Sequence, residues 1–121
     1  MHKKARLDVH HLFFAMQNSK QGLFVAWQDE TAFRFIMLES ALLIGLTFLL
    51  ADTWTTTILL IFPVCLAILV ELLNTAIENT VDRIGTEWHP LAKKAKDMGS
   101  AAQLVAQLFL LFVWLSYFFW A

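Results

Sequence analysis

The chain has 121 residues, 59% of them hydrophobic and only 16% charged, with eleven Phe, five Trp and a single cysteine. That charged fraction lies well below the roughly 25% of an ordinary soluble domain, which excludes a disordered tail and leaves too little polar surface for a small water-soluble fold. One cysteine excludes a disulfide scaffold, and a net charge of −1 supplies no field toward phosphate polymers, so no nucleic-acid partner is expected.

The first predicted element, about 7–30, is an amphipathic helix. Leu12, Phe13, Met16, Leu23, Phe24 and Trp27 recur at roughly helical spacing, with Lys20, Gln21 and Gln28 elsewhere, so a position in the membrane interface is expected. The first 30 residues lack the short apolar core and small-residue cleavage site of a signal peptide. The second helix is predicted over about 31–50 and the third over about 54–83, with Asp52 and Thr53 as the connection and helix start. Pro63 falls inside the third helix, which a membrane span tolerates. A fourth helix begins near Ala92 or Lys96 and crosses as a span over about 96–120. Gly85 and Pro90 punctuate the segment before it.

Charge distribution makes these helices membrane spans. Residues 53–70 and 98–121 hold no charge, and Asp52 is the only charge between Ser40 and Val70. About 20 mostly apolar residues cross the hydrocarbon as a helix. Cys65, within such a run, is expected as a small buried apolar residue. All Lys and Arg lie either near the N-terminus, through Arg34, or within 83–96, and none lies in the 51–57 connection. The positive-inside rule then places the N-terminus and 83–96 in the cytoplasm and the C-terminus on the periplasmic side. Trp54 and the cluster from Trp114 to Trp120 suit interfacial belts. Three spans from so short a chain leave little private interior, so a homo-oligomer is expected.

Glu71, Asn74, Glu78 and Asp82 are spaced 3, 4 and 4 apart and share one face of the third helix. A carboxylate at the edge of the hydrocarbon is a functional group by default. A polar seam gluing the oligomer is the alternative. Mutual repulsion of the acids invites a hard divalent cation, and Mg²⁺ is held by one or two carboxylates plus substrate phosphates. Glu78 and Glu30, at the same cytoplasmic level, are the candidate ligands. Glu87, Trp88, His89, Lys96 and Asp97 add polar and cationic groups on that side, suited to a polyphosphate or to anionic lipid. No nucleotide loop, kinase catalytic-loop pattern or zinc spacing occurs.

The block Glu71-Leu72-Leu73-Asn74-Thr75-Ala76-Ile77-Glu78, then Val81-Asp82-Arg83, Glu87-x-His89 and Ala95-Lys96-Asp97-Met98-Gly99-Ser100-Ala101-Ala102, resembles the prokaryotic integral-membrane diacylglycerol kinase family. Upstream, Gly22-Leu23, Ala26-Trp27, Glu30 and Ala32-Phe33-Arg34 extend the resemblance over nearly the whole chain. It implies an all-α membrane protein with three transmembrane helices and an N-terminal amphipathic surface helix, assembled as a domain-swapped homotrimer in the bacterial inner membrane. It implies transfer of the ATP γ-phosphoryl group to the hydroxyl of diacylglycerol, giving phosphatidic acid. Glu71 aligns with the general base, Glu30 and Glu78 with the Mg²⁺ ligands, and Glu87, Trp88, His89, Lys96 and Asp97 with the nucleotide contacts. Asn74 aligns with a catalytic polar residue and Asp82 with a supporting one. Trp27, Ala32, Phe33, Arg34 and Ser100 align with the lipid-substrate positions.

Phosphoryl transfer needs positioning and charge neutralisation more than covalent chemistry, which one helical face joining lipid and water supplies. The sequence departs from the family at Ile36, where an acid is common, at His11, where an Arg is common, and at Asn18, where an aromatic is common. In these departures the chain resembles a sister branch whose acceptor is undecaprenol, while Asp82-Arg83-Ile84-Gly85 and Lys96-Asp97-Met98-Gly99-Ser100-Ala101-Ala102 favour the diacylglycerol branch. An undecaprenol kinase and a non-enzymatic membrane assembly subunit are therefore the alternatives to diacylglycerol kinase.

Overall fold

The computed structural model describes residues 9–120, which form four helices and no strand. They are α1 (Val9–Asp29), α2 (Thr31–Leu50), α3 (Trp54–Ile84) and α4 (Pro90–Trp120). The expected start of the first helix at residue 7 lies outside the described residues. Each of α2, α3 and α4 is long and apolar enough to cross a membrane. At 31 residues each, α3 and α4 are about 46 Å long, against about 30 Å of hydrocarbon. Both are therefore longer than the apolar layer is thick, and each carries its charges at one end.

Local chemistry sets the boundaries. Thr53 caps α3, its hydroxyl accepting from the Thr56 N–H at 3.1 Å. α4 begins at Pro90, earlier than the expected Ala92 or Lys96. Pro90 is the first helical residue rather than a break, a position where its missing N–H costs nothing. His89 supplies the cap, with Nδ1 accepting from the Leu91 N–H at 3.1 Å and its carbonyl accepting from the Lys93 N–H at 3.0 Å. At the α1–α2 corner, Glu30 adopts an extended backbone. Arg34 folds back to close α1, its Nη1 donating to the carbonyls of Trp27 (3.0 Å) and Gln28 (2.9 Å) and its Nη2 to Thr31 Oγ1 at 3.2 Å. These are the carbonyls that a helix end leaves without partners. Arg34→Ala is expected to raise amide hydrogen exchange over 24–30 several-fold, and Arg34→Lys to restore it only in part, because an ammonium lacks the planar fork. Unchanged exchange in Arg34→Ala would show the fork to be dispensable.

The bundle is organised by α3. Its buried residues Leu60, Val64, Ala67, Glu71 and Asn74 repeat at spacings of 4, 3, 4 and 3, the stripe of helices packed at a shallow angle. α4 answers with Gly99, Ala106, Leu110 and Trp114, and α2 with Phe33, Ser40 and Thr47. The buried hydroxyls satisfy themselves locally, Ser40 Oγ donating to the Ile36 carbonyl and Thr47 Oγ1 to that of Leu43. At the far end, the Tyr117 hydroxyl donates to the Leu50 carbonyl at 3.0 Å, tying α4 to the end of α2.

Two expectations are corrected. Trp114 is not an interfacial belt residue. It lies on the α4 stripe, buried, and its indole N–H donates to the Leu60 carbonyl at 3.2 Å. Cys65 is exposed, because one residue past Val64 the helix has turned by about 100° away from the seam. It faces outward from the chain, where lipid or another copy would meet it.

Candidate active site

The α3 stripe changes character along its length. From Leu60 to Ala67 it is the hydrophobic core. From Glu71 onward the same face carries Glu71, Asn74, Glu78 and Asp82, so the acidic line seen in the sequence is the continuation of the packing seam. Glu71 is buried at 5% exposure, Glu78 is half-buried and Asp82 is exposed. Polarity and hydration therefore rise together toward the charged end.

Glu71 is held from α4. Gln103 Nε2 donates to Glu71 Oε2 at 2.8 Å and to the Ala67 carbonyl at 3.1 Å. Behind it, Gln107 Nε2 donates to Gln103 Oε1 at 3.3 Å. One turn further, Asn74 packs against Gly99 with its Oδ1 buried and unpartnered. Only a residue without Cβ lets that side chain lie there.

At the charged end, Lys96 Nζ pairs with Asp82 Oδ1 at 2.7 Å across α3 and α4. Both are substantially exposed, so the pair fixes geometry more than stability. Lys93 pairs with Asp97 one turn along α4. Glu30 Oε1 accepts from Asn79 Nδ2 at 3.3 Å, which brings the α1–α2 corner onto α3. Glu78 stands in the field of Glu71, Glu30 and Asp82, with Lys96 opposing them. An open cavity of about 330 Å³ lies beside this cluster, lined by Asp82, Glu87, Trp88, His89, Lys96 and Asp97 among others. Because His89 Nδ1 accepts a backbone N–H, the neutral ring carries its proton on Nε2.

The structure thus brings together Glu71 and Asn74 in the seam, Glu30 and Glu78 at its mouth, and the five residues from Glu87 to Asp97 around one cavity with Asp82. Among the described residues no side-chain hydrogen bond joins Trp27, Ala32, Phe33, Arg34 or Ser100 to that set, although the Arg34 backbone N–H donates to the Glu30 carbonyl at 3.2 Å. Phe33 is 1% exposed and packs inward, and Arg34 closes α1, while Trp27, Ala32 and Ser100 are exposed. Among the described residues no three carboxylate, His or Cys side chains form a group able to hold a metal. The donor set is instead two carboxylates at an open mouth, which fits a hard cation that arrives with oxygen ligands of its own.

Gln103 and Gln107 escaped the sequence reading, which took 98–121 as an uncharged span. Their signal was present in the spacing: Lys96, Ser100, Gln103 and Gln107 recur at 4, 3 and 4 and mark one polar face of α4.

Fold and site together define a three-span helical membrane protein whose central seam turns acidic toward the charged end of α3. A model of the family described as prokaryotic diacylglycerol kinase matches residues 17–118. A diacylglycerol kinase of Helicobacter pylori is 50% identical over 103 residues, covering 85% of this chain and 80% of that one. Those of Pseudomonas aeruginosa and Escherichia coli K12 are 43% identical over 111 residues (92% and 90% of the two chains) and 45% over 96 (79% of each). The chain belongs to the prokaryotic diacylglycerol kinase family, and it is accordingly a kinase, a phosphoryl transferase set in a membrane.

Proposed function

We propose that the chain transfers the γ-phosphoryl group of ATP to the free hydroxyl of diacylglycerol, giving phosphatidic acid, as a domain-swapped homotrimer in the bacterial inner membrane. The observation that carries this reading is the graded seam. Glu71 sits buried at the lipid side, and Glu78 lies seven residues on, about 10 Å nearer water. A greasy alcohol and a charged nucleotide can meet along that face without either leaving its own phase.

In the reaction the lipid hydroxyl oxygen attacks the γ-phosphorus in line. The new O–P bond forms as the bond to the β,γ-bridging oxygen breaks, ADP leaves, and the hydroxyl proton passes to a Glu71 carboxylate oxygen. Asn74 orients the reacting groups beside Glu71. Glu30 and Glu78 would hold Mg²⁺, which when bound neutralises developing phosphate charge. Lys96, His89 Nε2–H and Trp88 supply a cation, a donor and an aromatic face to the nucleotide, with Glu87 and Asp97 completing the cavity and Asp82 holding Lys96. On the lipid side, Trp27, Ala32 and Ser100 present exposed surface, while Phe33 and Arg34 set the corner that carries it.

Lys and Arg distribution supports a cytoplasmic N-terminus and 83–96 segment with a periplasmic C-terminus. The apolar side chains exposed along α1, from Leu12 to Trp27, support a surface helix in the interface. Only 17%, 28% and 17% of the apolar windows of α2, α3 and α4 are buried within the chain, so partner chains have ample surface to cover.

The test is a micelle assay with radiolabelled ATP and two acceptors, diacylglycerol and undecaprenol, side by side. Label in phosphatidic acid is expected. Label in undecaprenyl phosphate alone would make the chain a polyprenol kinase, and label in neither would remove the reading. Glu30→Gln and Glu78→Gln are each expected to raise the Mg²⁺ concentration for half-maximal rate by about tenfold or more. An unchanged Mg²⁺ dependence would exclude both as ligands.

A further inference from the structure

We propose that Gln103 is a positioning residue for Glu71, holding one carboxylate oxygen so that the other faces the reacting hydroxyl. The inference rests on the reading of Glu71 as the general base. Its geometry is specific. The Gln103 amide nitrogen has two hydrogens, and both are committed, one to Glu71 Oε2 at 2.8 Å and one to the Ala67 carbonyl at 3.1 Å. Ala67 lies one helical turn before Glu71, so the amide is referenced to the backbone of the same helix that carries the base. A flipped amide would set its oxygen against two acceptors, which forbids the alternative orientation. Gln107 Nε2 supports Gln103 Oε1 from behind at 3.3 Å. The chain Gln107 to Gln103 to Glu71 thus runs from the apolar interior toward the site with each donor aimed at the next acceptor.

The consequence falls on Glu71. Oε2 is occupied, while Oε1 accepts no hydrogen bond from the described residues. A carboxylate free to rotate would offer the substrate either oxygen in many poses. One pinned through Oε2 presents Oε1 in a fixed direction, and catalysis gains from a base already aligned. A hydrogen bond donated to a carboxylate favours its charged form in general, so loss of the donor is read in the pH dependence of the rate as well as in its size. Charged groups around the seam are Glu78, Glu30, Asp82 and Lys96. A change at Gln103 alters none of them.

Gln103→Leu keeps the volume and removes the donor. It is expected to lower kcat about tenfold, the size of one hydrogen bond to a charged group, with KM for MgATP and for lipid within about twofold of wild type. The acid limb of the kcat–pH profile is expected to move up by about one pH unit. A loss of active enzyme would lower kcat but leave that limb in place, so a fall without the pH displacement overturns the proposal, as does an unchanged kcat. If Gln103→Leu does not assemble, Gln107→Leu decides the matter: a smaller displacement in the same direction supports the proposal and none overturns it. Glu71→Gln in the same assay separates the two levels. Turnover retained there removes the base itself. Turnover lost there with an unmoved Gln103→Leu profile removes only the positioning role.

Discussion

Glu71→Gln is expected to lower turnover by about 10²–10⁴-fold, the range for loss of a general base, while the assembly stays intact. The amide matches the carboxylate in size, and its oxygen can still accept from Gln103, which now donates to Glu71 Oε2 at 2.8 Å. What disappears is the capacity to take a proton. The substitution also removes a titratable group from the buried seam, so thermal stability in detergent should hold or rise. Rate measurement in mixed micelles with light scattering on the same sample reads both quantities. A polar seam with no chemistry predicts the same stability and no activity to lose, so retained phosphorylation in Glu71→Gln would strip this residue of its role.

Gly99→Ala is expected to be nearly as damaging by a different route. A Cβ built at Gly99 would overlap Asn74 Oδ1 and stand 3.2 Å from its Cγ and 3.9 Å from its backbone Cα. Helix propensity favours the substitution by about 1 kcal/mol. Overpacking a tight crossing costs about 1–3 kcal/mol, and Asn74 is buried at 8% exposure with little room to retreat. The crossing should prevail, lowering the unfolding temperature and displacing Asn74 from beside Glu71. Turnover should fall more than tenfold. Gly45→Ala, where nothing lies within 4 Å of the new carbon, is the control and should leave turnover unchanged and stability unchanged or slightly raised. Equal behaviour of the two variants would show that the Asn74 contact does not matter.

Both variants act on the crossing of α3 and α4, where the buried half of the site lies. Its exposed half, at the charged helix ends, combines cations and carboxylates that water screens. Lys96 and Asp82 illustrate this: their pair is short but both partners are open to solvent. Its contribution is to hold Lys96 toward the cavity mouth rather than to stabilise the fold.

Helix number, the spans and the acidic line were legible in the sequence because each rests on local periodicity. Uncharged runs too long for a soluble core mark membrane crossings, and residues 71, 74, 78 and 82 share a face by helical spacing alone. The family block from Glu71 to Glu78 was legible for the same reason, being contiguous. Which way that face points was not. Only packing shows that it continues the stripe of Leu60, Val64 and Ala67 and so turns toward α4. Gln103 carried no signal of its own within an uncharged span, and its bond to Glu71 shows only with α4 laid against α3. Trp114 looked like a belt residue and Cys65 like a core residue, and tertiary contacts buried the first and left the second facing outward. Periodicity records which residues share a side of a helix, but the partner lying against that side is fixed by contacts between residues far apart in the chain.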